Sequence, residues 1–267
     1  MLRGRVLIVA GSDSGGGAGI QADIKACAAL GAYSMTAITA LTAQDTTGVH
    51  GVFSVPPAFV AQQMRVVLDD IGADAIKLGM LADAAVIDAV CDVLDTVSSI
   101  HLVVDPVMVA KGGARLLAAE AVAALKSRLL PRAGILTPNV PEAEALVGRP
   151  IKSVGDMTRA ATELRAAGAA AVLVKGGHLD GPTVTDVLAD ADGVLLFDDA
   201  RIDTTSTHGT GCTLASAIAA GLAQRMPLRD AIARARGYLR AAILAAPGLG
   251  HGHGPLGHDA GWAGWGD

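Results

Sequence analysis

The sequence predicts an α/β fold with a mainly parallel central sheet covered by helices on both faces. Short apolar runs alternate with helical patterns along most of the chain, which is the order of parallel β–α units. These runs are apolar throughout rather than every second residue, as in strands buried on both sides. Apolar residues make up 51% of the 267 positions while aromatics reach only 3%. Ala, Val and Leu therefore carry the core and allow helices to pack closely on a sheet. The length suits one large domain, 1–267, with a Gly- and His-rich tail from about 248 to 267.

The elements follow in order. RVLIVA (5–10) reads as a buried strand running into the loop GSDSGGG (11–17). Gly19 to Leu30 reads as a helix closed by Gly31, and SMTAITALTA (34–43) as a second buried strand. VHGVFSV (49–55) reads as extended structure outside the core, and PPAFVAQQMRVVLDDIG as a helix with proline at its start. AIKLGM, HLVVDPV, GILTPN and AVLVKGG are further strand-like runs, separated by helical patterns. TVTDVLAD and GVLLFDD read as a hairpin turning at Asp190 to Gly193, and 209–224 and 228–246 as two closing helices.

Composition excludes several classes. Net charge is −5 with no basic block, which disfavours nucleic acid as a partner. No apolar run reaches transmembrane length, and MLRGRVLIVAGSD lacks a cleavage-site pattern. Three cysteines cannot complete a disulfide framework; Cys27 and Cys91 fall in helix-like apolar patterns as core residues. The expectation is a reduced, cytoplasmic protein with no membrane partner.

In an open α/β sheet the reactive groups belong at the carboxyl ends of the strands. Gly11–Gly17, Gln44, Gly79–Met80, Asp105, Asn139 with Glu142, and Lys175 all follow strand-like runs. They are expected to share one edge. The most informative stretch is TTSTHGTGCT (204–213) before the apolar run LASAIAAGLA. Gly209, Thr210, Gly211 and Cys212 read as the first turn of a buried helix, whose unpaired N–H groups and dipole favour an anion. A cysteine there is expected to have a depressed pKa and a usable thiolate. An anion hole with a basic side chain points to phosphoryl transfer.

Other motifs carry alternatives. GSDSGGGAGIQAD lacks the GK[ST] ending of a Walker A loop. Gly17 to Ala22 fits a loose dinucleotide pattern, but the second strand carries no acidic residue for a ribose. Asp13 and Asp23 also read as helix-start or capping carboxylates, Asp13 the more so. Asn139 and Glu142 match a capping box with Pro141 in the first turn, or oxygens holding waters around Mg2+ at nucleotide phosphates. Asp105 precedes a proline, as in an ordinary turn, yet sits on the active edge. Lys175 reads as a surface lysine or as a group facing that edge. His251, His253 and His258 lie among glycines and read as a mobile surface segment without a metal.

The motifs GSDSGGGAGIQAD, ITALTAQDT, KLGML, VDPVM, TPNVPEAEAL, VKGGH and THGTGCTLASA, in this order, resemble the hydroxymethylpyrimidine/phosphomethylpyrimidine kinases of the ribokinase-like superfamily, from about Arg5 to His258. Commoner superfamily members have aspartate where Cys212 stands. The resemblance implies a ribokinase-like fold, a homodimer, and ATP- and Mg2+-dependent phosphorylation of a small-molecule pyrimidine and then of its monophosphate for thiamine biosynthesis. It implies Gln44 as the reader of the aminopyrimidine, with Gly11, Ala18, Asp23, Met80 and Val107 lining the substrate pocket. Asp105, Asn139 and Glu142 would serve metal and phosphate. Lys175 and Thr207 to Gly211 would serve the nucleotide, and Cys212 would be the general base. This chain departs from the usual Ser-Ser-Gly-Gly and Gln-Asn-Thr at Gly15 and Asp45. A pyridoxal kinase is the alternative on the same scaffold. A dinucleotide oxidoreductase and a non-catalytic vitamin binder are the other classes, the first disfavoured by the missing acidic residue and the second by the filled catalytic positions.

Overall fold

The structure is a computed structural model and describes residues 4–108 and 119–261. Nine strands form one sheet in the order β3-β2-β1-β4-β5-β6-β7-β8-β9. The parallel strands are β1 (Arg5–Asp13), β2 (Tyr33–Gln44), β4 (Ala75–Leu78), β5 (His101–Val104), β6 (Ile135–Leu136) and β7 (Val172–Val174). Antiparallel strands finish both sides: β3 (Val49–Ser54) against β2, and the hairpin β8 (Thr183–Asp190) and β9 (Gly193–Ala200) against β7. The 49–55 run is thus an exposed edge strand, added to the sheet beyond the doubly covered region.

Strand periodicity assigns the two cores. Leu7 and Val9 of β1 join one cluster, Val6 and Ile8 the other. The first core is closed by α2 (Pro57–Asp70), α3 (Ala84–Leu94), α4 (Ala119–Ala124), α5 (Val140–Val147) and α6 (Val154–Ala166). Helix α4 passes through a wide turn, Leu125–Leu129, and a tight one, Leu130–Arg132, where Pro131 ends it. The second core holds α1 (Gly19–Ala29), α7 (Thr210–Ala223) and α8 (Leu228–Leu244). Alanine dominates there, and α7 is buried from Thr213 to Ala223. A Cβ on Gly221 would lie 2.8 Å from the Ala231 Cβ, so α7 and α8 meet at a distance only small residues permit. Cys27 and Cys91 are fully buried in the two cores.

The C-terminal segment differs from its sequence expectation. Residues 251–258 pack onto the body rather than extending as a mobile surface tail: Leu256 and His258 are buried, and the Tyr238 hydroxyl donates to the His258 carbonyl at 2.8 Å. Glycines let this segment approach other backbone closely, which is why a Gly-rich stretch here is ordered. The tail residues 262–267 lie outside the described residues. Among the described residues no helix is long and apolar enough to cross a membrane.

Candidate active site

Because β1, β2, β4, β5, β6 and β7 are parallel, their carboxyl ends share one edge, and a 670 Å³ cavity lies along it. Gly11, Ala18, Gln44, Met80 and Val107 line it at one end; Asp105, Asn139, Glu142 and Lys175 line it further along. Thr207 and Gly209 to Cys212 form the wall that links the two.

Asp23 does not line this cavity. The α1 turn carries it inward, fully buried, where both carboxylate oxygens accept from Lys77 Nζ at 2.9 Å and Oδ1 accepts from the Ser216 hydroxyl at 2.7 Å. Nor does it cap a helix. Lys77 is itself fully buried and reaches the cavity from the middle of β4. Burial opposes its charge, but Asp23 beside it holds the ammonium protonated.

The elements around Cys212 are the amino ends of two helices. Gly209 is the N-cap of α7 with φ of +79°, and a Cβ there would lie 1.9 Å from the Gly17 carbonyl oxygen. Only glycine satisfies both conditions. This contact brings the start of α1 against the start of α7, and the Gly19 backbone N–H is directed at the Cys212 sulfur. The sequence suggests a depressed thiol pKa; the structure corrects this. Burial pushes the thiol up to about 12, against the pull of Lys77 and the Gly19 N–H, so the thiol is neutral at pH 7.

The charged end lies across the first turn of α7. Lys175 Nζ donates to Asp105 Oδ1 at 2.8 Å. A Cβ on Gly211 would lie 3.2 Å from that Nζ and 3.6 Å from Asp105 Oδ2, so the backbone of α7 looks directly onto the pair. Burial lowers the Lys175 pKa, but Asp105 and Glu142 outweigh it and the net direction is upward. Asn139 and Glu142 form a complete capping box at α5, with Asn139 Oδ1 accepting from the Glu142 N–H at 2.9 Å and Glu142 Oε2 from the Asn139 N–H at 2.8 Å. Burial raises Glu142 to about 7, with Asp105 adding to the rise and Lys175 opposing it. Capping and cavity lining are therefore compatible at these two residues.

The opposite end is a hydrogen-bonded cluster. Asp13 accepts from the N–H groups of Gly15, Gly17 and Ala18 at 2.8–3.0 Å and from buried His208 Nε2 at 2.8 Å. Asp13 thus holds the Gly-rich loop and the 204–209 loop together, although α1 begins without a side-chain cap. The Gln44 amide nitrogen is placed 3.4 Å from the same His208 nitrogen. With Nε2–H given to Asp13, two donors would face each other there. Exchanging the amide oxygen and nitrogen, equal in shape, removes the facing donors and lets the amide donate to Thr42 Oγ1, which already donates to the Ser12 carbonyl at 2.9 Å. Ser14 Oγ bonds both the N–H and the carbonyl of Gln44, at 2.8 and 2.7 Å. Asp45 spends its charge on its own turn, accepting from Thr47, Gly48 and His50.

Sequence reasoning missed Lys77, the His208–Asp13 pair and the far wall. A lysine inside the apolar run AIKLGM is the one local signal for the first. The far wall is an apolar slot of Val184, Ile202, Leu239 and Ile243, contributed by the hairpin, the following loop and α8. Arg236 stands at its side, ion-paired to Asp186 and Asp199 and 5.5 Å from the Phe197 ring centre. These residues meet only through the tertiary fold, and no spacing reveals them.

A family model described as phosphomethylpyrimidine kinase matches residues 13–257. The chain is 49% identical to the hydroxymethylpyrimidine/phosphomethylpyrimidine kinase of Rhizobium meliloti, over 96% of this chain and 97% of that one. It is 54% identical to the thiamine biosynthesis bifunctional protein ThiED of Geobacter sulfurreducens over 96% of its own length, and spans 52% of that longer relative. An ADP complex of Bacillus subtilis pyridoxal kinase superposes with a TM-score of 0.89 at 36% identity, covering 96% of this chain and 98% of the other. With a family match that spans the Gly-rich loop, the cavity wall and the 251–257 segment, the chain belongs to the phosphomethylpyrimidine kinase family of the ribokinase-like fold.

Proposed function

We propose that this protein transfers the γ-phosphoryl group of ATP to 4-amino-5-hydroxymethyl-2-methylpyrimidine and then to its monophosphate, giving the diphosphate used in thiamine biosynthesis. The observation that carries this reading is a single cavity with an amide-lined end for a ring, a lysine–carboxylate end for phosphate, and the start of α7 between them. Gln44 offers one donor and one acceptor edge, matching an exocyclic amine beside a ring nitrogen. Gly11 leaves room for the ring: a Cβ there would lie 2.3 Å from the Met80 methyl carbon. The apolar slot toward Ile243 suits a nucleotide base, with Lys175 and the loop from Thr207 to Gly211 at its phosphates.

The donor set fits magnesium. Among the described residues no group of three or more His, Cys, Asp or Glu is arranged around a metal. Mg2+ commonly keeps several waters and uses one or two carboxylates together with substrate phosphates. Asp105 and Glu142 would hold it, with Asn139 positioning Glu142. When bound, the ion would neutralise phosphate charge. The chain's own contribution is positioning: Lys175 and the Gly211 and Cys212 N–H groups face the developing phosphoryl charge. Cys212 sits at the pyrimidine side of that turn as the acceptor of the alcohol proton. Because the thiol is neutral at pH 7, accepting the alcohol proton requires that its own proton first pass to water.

Pyridoxal is the second reading, supported by the close superposition on a pyridoxal kinase. The homodimer expected from the resemblance has support in the exposed edge, where Leu41 and Phe53 pair across β2 and β3 at 46% and 68% exposure. The purified protein with ATP–Mg2+ is assayed against the pyrimidine, its monophosphate and pyridoxal, following ADP release, with sedimentation of the same sample. ADP formation with both pyrimidines is the expected result. Turnover with pyridoxal alone would replace the reading.

A further inference from the structure

We propose that residues 251–255 are a strap that positions the pyrimidine end of the cavity, with Thr46 as its anchor. The inference rests on the reading of that end as the ring site. Three consecutive backbone N–H groups converge on Thr46. Those of His251 and Gly252 donate to its hydroxyl at 3.1 and 3.2 Å, and that of His253 donates to its carbonyl at 2.9 Å. Thr46 lies two residues beyond Gln44, so the strap holds the turn that carries the ring-reading amide.

The same segment holds the other loops of that end. The His208 N–H donates to the Gly254 carbonyl at 3.1 Å, fixing the backbone of the residue that bonds Asp13 and faces Gln44. Thr207 Oγ1 lies 3.4 Å from His253 Nδ1. A Cβ on Gly17 would stand 3.2 Å from Pro255 and 2.5 Å from the His208 ring, so the Gly-rich loop is wedged against both. The glycines in the strap are needed for this closeness: a Cβ on Gly252 would meet the Thr46 carbonyl oxygen at 2.1 Å. Loops carrying Asp13, Gln44 and His208 come from three distant parts of the chain, and the strap is the element that touches all of them. Its contacts with Thr207 and His208 touch only the start of the nucleotide loop, and none reaches Lys175, Asp105 or the apolar slot, so its main effect is expected at the pyrimidine end.

This separates a positioning role from general stability. Thr46→Val removes the hydroxyl while keeping the shape, and Thr46→Ser restores it. The measurement is KM for the pyrimidine and for ATP, with kcat, on full-length protein. Expected for Thr46→Val is a pyrimidine KM raised about 3- to 10-fold, from the loss of the two hydrogen bonds to the hydroxyl. ATP KM and kcat stay within about twofold, and Thr46→Ser returns the pyrimidine KM to the parent value. Gly252→Val, which displaces the turn without touching Leu256 or His258, is expected to act in the same direction. An unchanged pyrimidine KM in both Thr46→Val and Gly252→Val overturns the proposal, as does an equal rise in the KM for ATP. Gln44→Ala is run alongside. A rise in its pyrimidine KM without one in the strap variants sinks the strap and spares the ring site; the reverse sinks the Gln44 reading and spares the strap.

Discussion

The two ends of the cavity are built on different physics. The pyrimidine end is a mesh of neutral and charge-assisted hydrogen bonds among four loops, most of them ending on backbone. The phosphoryl end has few hydrogen bonds and much charge: Lys175 on Asp105, buried Glu142 nearby, and the unpaired N–H groups that open α7. A ring with a fixed donor–acceptor pattern needs shape held to a fraction of an ångström, and many weak bonds between loops supply that. A phosphoryl group whose charge moves during reaction needs a field already in place, and helix ends and fixed ions supply that without rearranging. Disturbance should therefore appear as lost affinity at the first end and lost turnover at the second.

Cys212 lies between the two and gives the largest test. The first acceptor is an alcohol that must lose a proton; the second is a phosphate monoester already anionic near neutral pH, its second pKa being about 6. Cys212→Ala is expected to slow phosphorylation of the alcohol by about 10²–10⁴-fold and that of the monophosphate far less. Separate assays of the two steps at saturating ATP–Mg2+ decide it. Equal losses would make the thiol part of the anion site, and full retention of the first step would remove it from the chemistry.

Gly211→Val acts at the charged end. Its branched side chain would enter the space facing Lys175 and Asp105, and both steps should lose on the order of 10²–10³-fold in kcat, the usual cost of a displaced oxyanion donor. A variant slowed in one step alone would mean that the two acceptors react at different places. Gln44→Ala acts at the other end, removing a paired buried contact worth about 1–3 kcal/mol. Pyrimidine KM should rise with kcat at saturation little changed, and unaltered KM would take the ring away from Gln44.

The smallest effect concerns His258, whose Nε2 lies 2.9 Å from the Thr213 hydroxyl next to Cys212. Burial lowers its pKa from 6.5 to about 4, so the folded state holds it neutral. The unfolded chain takes up the proton first as pH falls. The stability it contributes is complete above pH 6.5 and is lost between 6.5 and about 4. His258→Asn should narrow the gap between urea midpoints at pH 7 and pH 4.5; a gap of parental size would place the titrating group elsewhere.

Legibility in the sequence followed the same division. Strand runs, the hairpin and the two closing helices were readable because each depends on local periodicity, and the parallel order then forces one edge to collect Gln44, Asp105, Asn139, Glu142 and Lys175. Asp23 leaves both the capping role its local sequence suggests and the lining role the resemblance implies, because its partner Lys77 sits 54 residues away and no local pattern reveals a buried ion pair. The thiol of Cys212 was misjudged for a related reason. The helix amino end is visible in GTGCT, whereas the burial that outweighs it comes from packing. The Gly- and His-rich tail reads as mobile because glycine signals freedom in isolation; here the missing side chains let its backbone meet the Thr46 carbonyl and the Ser206 side chain.

The contact among Gly17, Gly209 and Pro255 has a consequence for how the protein is made. Residues near 17, 209 and 255, far apart in sequence, must meet before the ring site exists. Translation delivers the amino-terminal strands and helices first, and they can pair and pack as they emerge. The loop at 11–19 then waits, without its partners, until α7 and finally the 251–258 segment leave the ribosome. Competence to hold a ring waits for the 251–258 segment, so a chain cut before residue 251 would fold most of its sheet and remain open at one end.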